Sequence, residues 1–115
     1  MNIRIINLTK NQVLAEEVLL STNFLKRLKG LLGYKSLEKN QAMILRPANS
    51  VHTFFMRFPI DVLFVDRNKI VVKIFRNMKP FKVTGVYLKS AFVIESSAGV
   101  IDSTQTAEGD CLQIQ

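Results

Sequence analysis

The sequence predicts a mainly-β fold: a small sandwich or barrel of seven or more short, mostly antiparallel strands, with one short helix near residues 22–30. Three observations carry that prediction. Short apolar runs rich in β-branched and aromatic residues recur along the 115 residues, which suits pleated, half-buried strands. Polar turn signals separate the runs. A strand–helix–strand repeat is absent, which argues against a doubly wound sheet.

The elements follow in order. Ile3 and Ile5 alternate with polar neighbours, as one strand face requires. A polar turn from Thr9 to Gln12 leads into a β-type run from Val13 to Leu20, and the two runs are expected to pair as a hairpin. The period then changes. Phe24, Leu25, Leu28, Leu31 and Leu32 recur at helical spacing, with Ser21 or Thr22 to cap the start and Gly30 and Gly33 to end it. Strand patterns return at Met43 to Leu45, Val51 to Phe58 and Ile60 to Val65. The turn Asp66 to Lys69, with Asn68 as its expected positive-φ residue, joins that last run to Ile70 to Phe75. Lys82 to Leu88, Ala91 to Glu95 and Cys111 to Ile114 complete the set, and Gly109-Asp110 reads as the tight turn before the final strand. Residues 1–115 are expected to form a single domain, since this length suits one ordinary core.

Composition narrows the function classes. The single cysteine, Cys111, cannot form an intramolecular disulfide, and no run approaches the roughly 20 apolar residues of a membrane helix. Polar residues interrupt the first eleven positions, unlike a secretory signal. The expected location is therefore cytoplasmic, with no membrane partner. The net charge of +7 is uneven: residues 26–89 hold 14 Lys/Arg against three acids, whereas residues 90–115 hold four acids and no Lys or Arg. The basic middle and acidic tail either attract each other in the fold and form a solvated surface, or leave a positive face for an anionic partner. Nucleic acid is one such partner, but no recognition motif or dense arginine cluster supports it.

Candidate chemistry concentrates in the segment from Asn49 to Phe64 and at Glu95. His52 is the only histidine, so multi-histidine metal sites are excluded, and neither a metal nor a cofactor is expected. It reads either as a buried, satisfied imidazole or as a base or ligand-binding group lining a cleft. Asp61 opens an apolar strand, where a carboxylate must lie at the rim, be paired or be hydrogen-bonded, with Arg57 as its nearest partner in sequence. Glu95 ends a buried run just before Ser96, Ser97, Ala98 and Gly99, so it reads as a site element or as the cap of a helical turn beginning near Gly99. Gly30 to Ser36 fails as a phosphate loop, because Tyr34 separates Gly33 from Lys35 and the segment follows a helix.

Several of these pieces together resemble one family. Arg27 to Leu31, His52-Thr53-Phe54-Phe55-Met56, Pro59 to Phe64, Val93-Ile94-Glu95 with Ala98-Gly99, and Gly109-Asp110 occur in the order shown by the bacterial and archaeal domain of unknown function 192 family. The resemblance spans about Thr22 to Gln115. It implies a mainly-β fold with a short helix near the N-terminus and no established reaction. It also directs attention to Arg27, His52, Asp61 and Glu95 as common elements. The family often carries cysteine where Ala48 stands, so chemistry relying on that thiol is closed to this chain.

Two functions remain open from sequence. One is a binding or accessory module, with Arg27, His52, Arg57, Asp61 and Glu95 around a cleft for a small ligand or a protein, anionic in character. The other is a small hydrolase or isomerase using His52 with Asp61 or Glu95 as acid and base groups. Whether the protein is an enzyme is not decided by sequence.

Overall fold

Where apolar residues alternate cleanly, strands form as expected. β1 (Ile3–Asn7) and β2 (Gln12–Ser21) make the first hairpin, with Ile5 and Leu14 turned inward. β3 (Gln41–Leu45), β4 (Ile60–Val65), β5 (Val71–Met78), β6 (Phe92–Ser97) and β7 (Leu112–Ile114) follow, with a four-residue helix, α1 (Val100–Ser103), between the last two. The computed structural model describes residues 3–21, 37–53 and 56–115. The helix expected near residues 22–30, and Arg27 on it, lie outside those residues.

The seven strands form one mixed sheet in the order β5-β4-β6-β3-β2-β1-β7, curled into a half-barrel. Only β2 and β3 run parallel. The two edge strands approach each other at one end through an antiparallel bridge between Ile70 and Cys111. There the Val71 N–H donates to the Asp110 carbonyl at 2.9 Å, and the Leu112 N–H donates to the Lys69 carbonyl at 2.8 Å. Curling hides part of the sheet edge that would otherwise invite another chain.

Both faces of the central strands are covered. Leu63, Val65, Ile94 and Phe92 pack inward against Ile5, Leu14 and the helix residues Val100 and Ile101. Val62, Phe64, Val93 and Met43 pack outward under Val51, Leu37 and Met78. All six residues of β4 are buried, which explains its unbroken apolar run. Each large side chain fully buried in this way contributes roughly 1.5–3 kcal/mol.

Four expectations are corrected. Of the strand expected over Val51 to Phe58, the described residues form a single bridge, from His52 to Val83, and residues 57–58 bend. The Thr53 carbonyl accepts the Met56 N–H at 3.1 Å instead of a partner strand's amide. The strand expected over Lys82 to Leu88 is likewise reduced to that bridge. In its place the Val51 N–H donates to the Thr84 hydroxyl at 2.9 Å, so a side chain replaces one rung of the ladder. In the turn after β4 it is Lys69, at φ 65, and not Asn68 that takes positive φ. Asp66 holds that turn, its Oδ1 accepting the N–H groups of Asn68 and Ile70. Finally, the helical turn near Gly99 exists as α1, but its amides are capped by Asp61 and not by Glu95.

Candidate functional site

Residues 79–91 leave the sheet after β5 and cross the outer face as an arm. Its root is Thr53, which is fully buried. The Thr53 hydroxyl donates to the Lys79 carbonyl at 2.6 Å and accepts the Lys82 N–H at 2.9 Å. Thr53 N–H donates to the Lys82 carbonyl at 2.8 Å, and Thr53 carbonyl accepts the Phe81 N–H at 3.0 Å. One threonine thus closes the turn at Lys79 to Lys82 from three sides. The far end is pinned by Tyr87, whose ring lies 4.8 Å from that of buried Phe64 and 6.1 Å from that of Phe75. Aromatic pairs at these separations add roughly 0.5–1.5 kcal/mol beyond area burial. Tyr87→Ala should therefore cost about 1–2 kcal/mol. Amide exchange should accelerate at Lys82 and Thr84 while the half-barrel amides stay protected; uniform acceleration across β4 and β6 would show that the arm is not a separate unit.

Between these anchors the arm presents apolar side chains to solvent: Phe81 is 74% exposed, Val83 67%, Val86 61% and Leu88 88%. Lys79, Lys82 and Lys89 stand among them, and no acid occurs from Arg67 to Ile94. Phe81 sits at φ 65, a left-handed conformation that costs a bulky side chain roughly 1–2 kcal/mol. The structure accepts that cost and turns a large ring outward. Concentrated apolar exposure beside cations marks a contact surface more often than a solvated loop.

The sequence-predicted site residues separate around this arm. His52 is half-buried and lies directly opposite Val83. Arg57 is exposed on the bend at residues 57–58. Glu95 is fully buried on β6, level with Met43 and Val62 on its two neighbours, and so on the outer face beneath Val51.

Asp61 goes elsewhere. It pairs with Ser96 across β4 and β6, while Val62 pairs with Glu95. Because neighbours along a strand point to opposite faces, Asp61 faces inward and Glu95 outward. No centre in this register uses both carboxylates. Asp61 Oδ1 accepts the Asn77 N–H at 2.8 Å, and Oδ2 accepts Ile101 N–H at 2.9 Å and Gly99 N–H at 3.1 Å. Three backbone amides thus hold the carboxylate, a remedy for burial that sequence reading assigned to Arg57. The picture of His52, Asp61 and Glu95 lining one cleft is corrected accordingly.

A second polar centre was missed in the sequence. Asp110 is buried where β7 meets the first hairpin. Its carboxylate accepts Asn7 Nδ2 at 2.9 Å, the Ala107 N–H at 2.9 Å and Lys10 Nζ at 2.9 and 3.0 Å. Burial alone would push its carboxyl up. The hydrogen bonds from Asn7, Lys10 and Ala107, with the Lys10 charge, outweigh burial and hold it below the ordinary aspartate range.

A cleft of about 340 Å³ opens on another side, among Gln12, Glu16, Lys39 and Thr104, and none of the predicted site residues lines it. Among the described residues, no three His, Cys, Asp or Glu gather as metal ligands would. No described helix is long and apolar enough to cross a membrane.

Fold and surface together define a small β half-barrel carrying a basic, apolar arm. The chain belongs to the DUF192 family, described as "Uncharacterized ACR", whose profile matches residues 5–114. It is 32% identical over 112 residues to a UPF0127 protein of Thermococcus kodakarensis, covering 94% of this chain and 71% of that one. A UPF0127 protein of Pyrococcus furiosus is 31% identical over 113 residues, covering 94% of this chain and 95% of the other. Among solved structures, it is similar to a Sinorhizobium meliloti 1021 protein named as a candidate transcription regulator, with TM-score 0.80, 19% identity and coverage of 97% and 91%. A Novosphingobium aromaticivorans protein of unknown function gives TM-score 0.80 and 19% identity, with coverage of 96% and 82%. At that identity the likeness is one of fold. The family resemblance read from the sequence is thereby borne out, and extends to β1.

Proposed function

We propose that the protein is a binding module whose contact surface is the arm of residues 79–89 together with His52 and Arg57. The observation that carries this reading is the set of four exposed apolar side chains on an anchored, acid-free arm. Such a surface suits a partner that is both apolar and anionic, since burial supplies affinity and the lysines steer approach. A protein partner fits better than nucleic acid, because aliphatic Val83, Val86 and Leu88 offer no stacking platform for bases. The acid–base alternative loses Asp61, whose oxygens are already taken by three amides. It would rest on His52 and Glu95 alone.

The test is photo-crosslinking in cells of the source organism. A benzophenone side chain at Val86 or Leu88 should join to the same partner, whereas one at exposed Gln113 on β7 should not. The adduct should vanish when Lys79, Lys82 and Lys89 are all changed to Glu. Equal adducts from Val86 and Gln113, or none from either arm position, would end this reading.

A further inference from the structure

The arm offers more than side chains. At the bridge between His52 and Val83, the Thr53 N–H donates to the Lys82 carbonyl and the Thr84 N–H to the Val51 carbonyl, both at 2.8 Å. These bonds flank the pair, which makes it the non-hydrogen-bonded kind in an antiparallel ladder. The N–H and carbonyl of Val83 therefore point away from residues 51–53, toward the open side of the arm. Neither has a hydrogen-bond partner among the described residues. An exposed pair of backbone groups on an extended segment is a template for one more strand.

Resting on the reading above, we infer that the partner docks as an extended, acidic protein segment that adds a strand along residues 82–86 and pairs its backbone with Val83. Its apolar side chains would pack beside exposed Val83 and Val86, and its carboxylates would meet Lys79, Lys82 and Lys89. Strand addition places alternate side chains on opposite faces, so an added strand would meet Val83 on one face and Val86 on the other, with Lys79, Lys82 and Lys89 around it. A lipid surface meets the charge and the apolar side chains but leaves the two backbone groups without partners in hydrocarbon. The open edge is what favours a polypeptide.

The probe is a random twelve-residue peptide library displayed on phage and selected against the full chain, with the enriched peptides then added to ¹⁵N-labelled protein. Enriched peptides should carry two or more acids and alternate apolar residues without proline between them. The Val83 amide should shift and exchange with solvent at least about tenfold more slowly in the complex. N-methylation of the facing peptide amide, Lys82→Glu with Lys79→Glu, and a rise from low to 0.5 M salt should each weaken binding about tenfold or more. Phe81→Gly, which suits the left-handed φ, should keep the fold and still weaken binding.

Three results overturn the inference: no enrichment above the Lys79→Glu/Lys82→Glu protein, peptides lacking acids, or binding that leaves the Val83 amide unchanged. Vesicles of phosphatidylglycerol in phosphatidylcholine form the parallel arm. Vesicle binding through the same lysines without peptide binding would remove strand addition and leave the arm as the contact surface. An arm that neither peptides, vesicles nor cellular crosslinking engages would remove both readings.

Discussion

Asp61→Ala is expected to lower stability by about 3–4 kcal/mol, the largest effect of any single polar change in this protein. The wild-type carboxylate is buried and accepts from Asn77, Gly99 and Ile101. Removing it leaves three backbone N–H groups at the junction of β4, β5 and α1 without their acceptor, and a hydrogen bond to a charged group is worth roughly 1.5–3 kcal/mol. A bulge makes the arrangement possible. The register between β4 and β5 shifts from Ile60–Met78 to Val62–Phe75, and Asn77 at φ 51 turns its amide out of the ladder and onto Asp61. Asparagine tolerates that left-handed conformation better than most residues. Asp61→Asn should cost about 2 kcal/mol, because one oxygen remains but the new amide group faces a donor. Thermal unfolding should show a fall of roughly 10–20 °C for the alanine variant. Faster amide exchange at Gly99 and Ile101 should accompany it. A fall of under 1 kcal/mol for Asp61→Ala would refute the capping role.

The second large effect lies at Asp110, and it depends on pH. Asp110→Ala should cost about 2–3 kcal/mol at neutral pH, since Asn7, Lys10 and Ala107 all donate to that carboxylate. The network extends inward: Asn7 Nδ2 also lies 3.1 Å from the Thr106 hydroxyl, which sits 2.7 Å from that of Thr104. It extends outward to the closure of the sheet, where the Gly109 N–H donates to the Val71 carbonyl at 2.8 Å and Gly109 takes φ 93. The groups facing Asp110 among the described residues are thus the Lys10 ammonium and neutral amides and hydroxyls. Because the folded carboxyl is held below its ordinary value, its contribution is complete above about pH 4. That contribution is lost as pH falls through the lower folded value. Urea unfolding of wild type and Asp110→Asn should differ most between about pH 5 and 7, and the gap should narrow as pH falls below the ordinary aspartate range. A gap that widened on acidification would contradict the assigned sign.

How far the residues announced the fold is clearest in β4 and β6. Ile60 to Val65 and Phe92 to Ile94 are apolar without interruption, and no arrangement in water leaves such runs uncovered. The first hairpin was equally legible, because Ile3, Ile5, Val13 and their polar neighbours fix a period of two. The arm was not. Lys82 to Leu88 has strand-like composition, and only its neighbours show that it meets a single bridge while side chains of Thr53 and Thr84 take the other bonds. One signal was available: an acid-free stretch from Arg67 to Ile94 containing both Pro80 and Gly85 marks a basic segment that interrupts a sheet.

The polar residues divide in the same way. That Asp61 and Glu95 open or end apolar strands was readable, but the pattern left them at the rim, whereas both are buried. Their partners were not readable, since hydrogen bonds between Asp61 and Ile101 span 40 positions, and those between Asn7 and Asp110 span 103.

By itself the sequence determined the β class, the family, the two carboxylates set at the ends of apolar strands and the uneven charge, all of which depend on local pattern and composition. The tertiary structure alone decided that Asp61 and Glu95 face opposite ways, that Asp61 caps α1, and that the arm turns its apolar side chains outward. Side-chain periodicity says which residues share a face of one strand; only the register between strands decides which face that is and what stands across from it.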